Sequence, residues 1–502
     1  MRNSTQKTSD AYKTAQDPTV LPGINRLEIC RSASNQTLAA NNIYRQKLLK
    51  RYAKFLIKNF DITRSLVSFQ SNKNIPFYRW YRYKEAFSHQ FSKFIFDIFN
   101  PAKKKRFRVL DPFAGAGTTL TTAVNEGYYA TGIELLPVAN AIIKARVLAE
   151  KVNISLFTKE VDKINETSFS KSPNGKYHFP HVRITENSFG PKTEHAISSY
   201  ADFISNIKNE EVKYLLWFAC LSILEDISYT RKDGQYLRWD YRSPRNLKSN
   251  FNKGEISDFD TAIHKRLHMM SEDINQRNGN LHKDRLNIYE GSCLEILPLL
   301  PKNSFDIVLT SPPYCNRYDY TRTYALELAF MNHNESSFRS LRQTLISATV
   351  ENKTKQKLLK ELYKSRKQLQ FFDNVFQAFK KQNALKEILG ILYRARVENI
   401  LNNPNIPTMV ENYFFEMNLV IHELSRIIAP GGHIVMVNDN VQYLGEEIPV
   451  DLILSDFAVS AGMDIESIWV LPRGKGNSSQ QMGVHGRNEL RKCVYVWSKK
   501  AE

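Results

Sequence analysis

Short apolar runs alternate with helix-period stretches along much of this chain. Phe305-Asp306-Ile307-Val308-Leu309 is a near-continuous apolar run of strand length, the pattern of a strand buried on both faces. Val109-Leu110 and segments 130–134, 286–289, 433–438, 465–471 and 492–497 read as further core strands. Helical periods are read over 118–124, 135–152, 294–300, 320–331, 412–424 and 448–461. Strands alternating with helices predict an α/β fold around a mostly parallel sheet. Upstream, residues 43–59 read as one basic amphipathic helix. Ser88 reads as the N-cap of another, with Phe91, Phe94, Ile95, Ile98 and Phe99 on one face.

Two stretches interrupt this alternation. Residues 153–285 change character, with weak periodicity, many aromatics and many charges; a helix is expected over 212–223 and a hairpin at Asp233-Gly234. Residues 332–403 read as a basic helical insertion with an apolar stripe of Phe372, Val375, Phe376 and Phe379, more consistent with core than with ligand contact. Residues 1–40 are polar and aperiodic, and read as a mobile arm. The division expected is therefore an arm (1–40), a cofactor half (41–152), a first insertion that is a possible target-recognition region (153–285), a catalytic segment (286–331), a second insertion (332–403) and a C-terminal part (404–502).

Composition narrows the partner. The chain has 502 residues, 42% hydrophobic, with a formal net charge of +19. That balance allows a large core and points to a polyanion such as nucleic acid. Five scattered cysteines, with no CxxC or Cys/His cluster, argue against a structural zinc site or a disulfide frame and fit a reducing cytoplasm. No apolar run reaches membrane-spanning length, and residues 1–13 lack the apolar core of a signal peptide. A cytoplasmic protein with no membrane partner and no metal is expected.

Two motifs carry candidate chemistry. The first strand runs into Asp111-Pro112-Phe113-Ala114-Gly115-Ala116-Gly117-Thr118, where Gly115 and Gly117 allow a tight turn and close approach of backbone to a ligand. It is neither a Walker loop, since no GK[ST] follows, nor the dinucleotide fingerprint, since the third glycine is missing. The second strand closes on Glu134, where an acid can accept hydrogen bonds from ribose hydroxyls. The second motif is Thr310-Ser311-Pro312-Pro313-Tyr314. Its prolines end the ladder and force a stiff, extended exit from the sheet's carboxyl edge, where open α/β sheets bind ligands. An ordinary proline turn would share that local pattern. Basic residues interleave with aromatics at 75–84 and around the hairpin (Arg231, Lys232, Arg238), and Arg473 and Lys475 lie in a glycine-rich basic loop. Nucleic-acid contact suits these patterns; a half-buried strand at 75–84, a packed surface hairpin and a flexible hairpin tip at the glycine-rich loop would produce them too.

Taken together, the DPFAGAG and SPPY motifs make the chain resemble the amino-group DNA methyltransferases, bacterial restriction–modification enzymes acting on cytosine N4 or adenine N6. The resemblance spans roughly residues 75–150, 286–330 and 410–502. It implies a Rossmann-like, mostly parallel seven-stranded sheet with helices on both faces, here carrying two largely helical insertions. It implies S-adenosyl-L-methionine as cofactor, held by Asp111, Phe113, Gly115, Gly117, Thr118 and Glu134. Arg82-Tyr83-Lys84-Glu85-Ala86-Phe87-Ser88 looks like the family's segment ahead of the first strand, which adds Lys84, Glu85 and Phe87. Ser292, with Cys293, stands where the family often has an acid near the adenine, a departure that puts that contact in doubt. The insertions also depart from the usual order, since the first comes earlier than the family's target-recognition insertion.

The resemblance implies a pocket in which Ser311, Pro312, Pro313 and Tyr314 receive a base flipped from double-stranded DNA. An exocyclic amine is a poor nucleophile because its lone pair is delocalised into the ring. The Ser311 hydroxyl and Pro312 carbonyl are the natural acceptors to localise it, and Tyr314 the natural stacking partner. Arg231, Lys232, Arg238, Arg473 and Lys475 are the candidate DNA contacts. Ser at the first motif position favours cytosine N4 in this family; adenine N6 remains the alternative, as do an RNA-base methyltransferase and an inactive DNA-binding relative. A cognate restriction endonuclease is the partner protein such a system would add.

Overall fold

The structure is a computed structural model that describes residues 42–59, 61–104, 106–233, 236–245, 249–277, 283–472 and 490–501. Its centre is an eight-stranded sheet in the order β6-β3-β2-β7-β8-β12-β11-β1. The strands are β1 (Leu56–Lys58), β2 (Arg108–Asp111), β3 (Tyr129–Glu134), β6 (Leu286–Glu290), β7 (Phe305–Thr310), β8 (Ile428–Asp439), β11 (Asp464–Val470) and β12 (Lys492–Ser498). Two small hairpins account for β4 (Thr230–Asp233) with β5 (Tyr236–Trp239), and β9 (Val441–Tyr443) with β10 (Glu446–Ile448). All pairings in the large sheet are parallel except those of β12 with β8 and β11.

The sheet is the α/β architecture expected, with one strand more than seven. The extra strand comes from residues 43–59, read above as a single helix. The helix stops at Tyr52, and Leu56–Lys58 pair with Ile468–Val470. β11 would otherwise present a row of unpaired backbone groups at the sheet edge, and the chain satisfies them by leaving its helical period.

The segment at 75–84 departs from both readings of its alternation. It forms no strand of the sheet; Tyr78–Trp80 make a short 3-10 turn, and Tyr78, Trp80, Tyr81 and Tyr83 are buried. The rings of Trp80, Tyr81 and Tyr83 enter the core shared with the first insertion, and Tyr78 packs beside Thr122 and Arg146. The Ser88 cap is present: its hydroxyl accepts from the Phe91 N–H at 3.0 Å and starts the helix His89–Phe99.

Both insertions are mainly helical. The first contributes Ile154–Asn165, Pro191–Ser205, Glu210–Ile227 and Phe259–Asn275, with the β4–β5 hairpin between the last two. Glu210–Ile227 buries Leu215, Leu216, Phe218, Leu221 and Leu224 against a core shared with Pro137–Ala149. The second contributes four helices between Glu335 and Val397. Phe372, Val375 and Phe379 pack with Phe415 of the long helix Ile406–Ile427, so most of that apolar stripe is core. No helix among the described residues is long and apolar enough to cross a membrane.

Candidate active site

The strand order reverses between β2 and β7. β3 and β6 lie on one side of that boundary and β8 on the other, so the loops after β2 and β7 diverge and leave a crevice. The pairing of Val109 with Ile307 and Leu110 with Val308 brings the carboxyl ends of the two strands together. The glycine motif and the proline motif, about two hundred residues apart in sequence, therefore open into one crevice.

Asp111 is buried at the end of β2. Its Oδ1 accepts from the Thr310 hydroxyl at 2.6 Å and from the Phe113 N–H at 3.1 Å. Burial pushes its carboxyl up to about 6, against the pull of those bonds. The loop then turns through Gly115 (φ +52°) and Gly117 (φ +72°), a backbone region open to glycine and costly for other residues. A Cβ on Gly117 would lie 2.7 Å from Ile143 Cγ1, and one on Gly115 3.2 Å from Tyr83 Cε1. Gly117 caps the helix Thr118–Asn125, whose first N–H groups face the crevice end of the loop.

Glu134 closes β3. Its carboxylate accepts from the N–H groups of Gly115 and Leu136, each at 2.6 Å. Burial pushes it up to about 7, with the backbone donors opposing and the neighbouring Asp111 charge adding to the rise. Glu134 thus braces the glycine loop from below while facing the same cavity.

That cavity offers about 780 Å3 of space, part of it open to solvent. Of the sequence candidates, Glu85, Phe87, Asp111, Phe113, Gly115, Thr118, Glu134, Ser292, Ser311 and Pro313 line it. Gly117 shapes the turn from behind. Lys84 points elsewhere: its ammonium donates to the Lys232 carbonyl. Pro312 is buried, and Tyr314 stands beyond the cavity with the Lys492 ammonium 5.9 Å from its ring centre. Burial holds the Tyr314 hydroxyl above its usual range.

Several wall residues were outside the sequence candidates. Tyr83, Ile133, Leu135, Leu136, Cys293 and Tyr320 add apolar and aromatic surface, and Thr344, Leu345 and Ile346 come from the second insertion. The Ser292 hydroxyl donates to the Thr344 carbonyl at 3.4 Å, which ties the β6 turn to that insertion. Tyr83 lay within the quoted segment ahead of the first strand and was legible there. Nothing in the local pattern of 344–346 marks a ligand wall, because only the fold carries it to the crevice.

The cavity suits S-adenosylmethionine on its own chemistry. An apolar wall of Phe113, Ile133, Leu135 and Leu136 fits a purine ring, and the Glu134 carboxylate fits ribose hydroxyls. The Thr118 hydroxyl is buried without a partner among the described residues, at the helix start where a methionine carboxylate would find donors.

The basic candidates divide. Arg231 and Arg238 are exposed on the β4–β5 hairpin and face each other in register. Lys232 is not a DNA contact: β4 alternates inward and outward, and the alternation that exposes Arg231 buries Lys232 against Glu327. Arg473 and Lys475 lie outside the described residues.

Comparison with known proteins agrees with this geometry. No family model matches the chain. It is 45% identical over 448 residues to the Type II methyltransferase M.AvaI of Nostoc sp., covering 87% of this chain and 89% of the relative, and equally to the protein of that name from Anabaena variabilis. It is 38% identical over 485 residues to the Type II methyltransferase M.BsoBI of Geobacillus stearothermophilus, covering 92% and 93%. Identity at that level across nearly the whole of each chain places the protein in the family of type II methyltransferases of restriction–modification systems.

Proposed function

We propose that the protein is a site-specific DNA methyltransferase that methylates the exocyclic amine of a base flipped out of the duplex, cytosine N4 in preference to adenine N6. The observation that carries this reading is the position of Ser311. It follows directly on Thr310, whose hydroxyl is bonded to Asp111, and it stands in the wall of the cofactor cavity. A hydroxyl held there is within the reach of both a bound cofactor and an incoming base.

When bound, S-adenosylmethionine supplies a sulfonium methyl as the electrophile. Glu134 and the loop 113–118 hold the donor from one side. Ser311 and the Pro312 carbonyl accept hydrogen bonds from the target amine, which draws its nitrogen toward tetrahedral geometry and localises the lone pair. The buried Pro312 and Pro313 keep those acceptors from relaxing. Tyr314 stacks on the base. Alignment of the two reactants supplies much of the acceleration. A base within a duplex cannot reach this depth, hence the need for flipping.

The hairpin arginines support a DNA acceptor. Arg231 and Arg238 stand exposed and opposite each other, Arg238 bonded to Asp233 at 3.2 Å, and a phosphate between them would add an anion both can reach. The test is incubation with labelled S-adenosylmethionine and mixed-sequence duplex DNA, followed by digestion to nucleosides. Label in N4-methylcytosine is expected. Label in N6-methyladenine would shift the base assignment, and label only in an RNA substrate would overturn the DNA assignment.

A further inference from the structure

Lys232 belongs to the first insertion, yet its ammonium lies inside the methyltransferase core and the residue is only 4% exposed. It pairs with Glu327, lies 3.6 Å from Glu225, and donates to the Tyr81 hydroxyl at 2.9 Å. It also stands over the rings of Tyr81 and Tyr324, at 4.9 and 5.1 Å. Glu327, 1% exposed, sits on the helix Ala325–Phe330 that follows the proline motif. The backbone of Lys232 is tied down as well. Its N–H donates to Glu225 at 3.0 Å, and its carbonyl accepts from Lys84.

From this ammonium the contacts run to the cofactor cavity in two steps. Tyr324 stacks on Tyr83, with ring centres 5.3 Å apart and planes 10° from parallel. Its hydroxyl, like that of Tyr318, donates to Glu85. Tyr83 and Glu85 both line the cavity, and the Tyr83 ring is packed close against Gly115. A buried ion pair of this kind gives little net stability compared with apolar residues of the same volume. An ammonium or carboxylate left unpaired in that core is costly, so the two partners hold each other in place.

We propose that Lys232 is a positioning residue for the cofactor site. Through Tyr81 and Tyr324 it sets Tyr83 and Glu85, so that the first insertion is a built-in buttress of the S-adenosylmethionine cavity. The proposal rests on the cofactor assignment and not on the identity of the methyl acceptor.

The test uses the full-length protein in two variants. Lys232→Met combined with Glu327→Gln removes the buried pair at once, and Glu225 keeps the residue-232 backbone N–H and the nearby Lys84 and Lys253 charges. Tyr324→Phe keeps the ring and the stack but cuts the bond to Glu85. Calorimetric titration with S-adenosylmethionine, without DNA, should show the dissociation constant raised about tenfold in the double variant and about threefold in Tyr324→Phe. KM for the cofactor should rise in step, kcat at saturating cofactor should stay close to that of the parent, and affinity for duplex DNA without cofactor should not move. A parent-like cofactor affinity in the folded double variant overturns the proposal. Should the double variant not fold, a parent-like affinity in Tyr324→Phe overturns it. A loss of DNA affinity with cofactor affinity intact overturns it too, by assigning Lys232 to the DNA face. Because cofactor binding is read alone, an error in the proposed acceptor leaves this result untouched.

Discussion

The Thr310 hydroxyl donates to the Asp111 carboxylate at 2.6 Å across the β7–β2 boundary. The bond joins the last residue before Ser311 to the residue that opens the glycine motif. Thr310→Val keeps the shape and deletes the donor, leaving a buried carboxylate with less support. A loss of about 1–3 kcal/mol is expected, read by denaturant melts, together with a lower kcat as Ser311 loses its anchor. The sign with pH follows from the Asp111 carboxyl, which burial holds up at about 6. Removing the hydroxyl raises it further. The stability gap between variant and parent should therefore widen as pH rises past 6, where the parent's folded state ionises first.

Glu134 makes cofactor binding pH-dependent. Its carboxyl is raised to about 7, and a bound ribose donating to it favours the ionised form. Binding then releases a proton, and affinity should climb as pH rises toward 7 and level off above it. Below 7 the slope should approach about tenfold per pH unit at most. Titration calorimetry from pH 6 to 8 would show the slope in the parent and a weak, flat response in Glu134→Gln.

Ser311→Ala removes an acceptor that acts on the amine and not on the cofactor. Single-turnover transfer should fall about 100-fold or more while the S-adenosylmethionine dissociation constant holds. Tyr314→Ala should instead weaken capture of the base, by about 1–3 kcal/mol in productive DNA binding. The two together should abolish transfer in a protein that still folds and binds cofactor.

Arg231→Gln and Arg238→Gln test the hairpin. Each should flatten the log–log salt dependence of duplex binding by about one unit, with little dependence on DNA sequence and no effect on cofactor affinity. Fluorescence anisotropy across a salt series gives the slope.

Gly117→Ala places a methyl 2.7 Å from Ile143 Cγ1 at a φ of +72°. The left-handed conformation alone costs about 1–2 kcal/mol. Adding Ile143→Ala, which removes Cγ1, should recover the overlap less the cost of the cavity it leaves, so thermal melts of the pair should show partial rescue and cofactor affinity should remain below that of the parent.

The parts of the fold legible in sequence are those set by local chemistry. A strand such as Phe305–Thr310, buried on both faces, writes an apolar run. A turn such as 115–117 needs glycine because of its own backbone sterics, and two consecutive prolines end a ladder wherever they stand. Those rules hold before any distant contact forms, so residues 109–118 and 305–314 declared the α/β sheet and its two motifs unaided. Only the tertiary structure decided the rest. Leu56–Lys58 became a strand because β11 offered a free edge. Tyr81, Tyr83 and Lys232, which belong to two separate basic and aromatic stretches, turned inward because Glu327 and Tyr324 lie there. Thr344–Ile346 became cavity wall because the second insertion reaches the turn after β6. In each case the deciding partner is far away along the chain, and no local pattern of side chains carries that information.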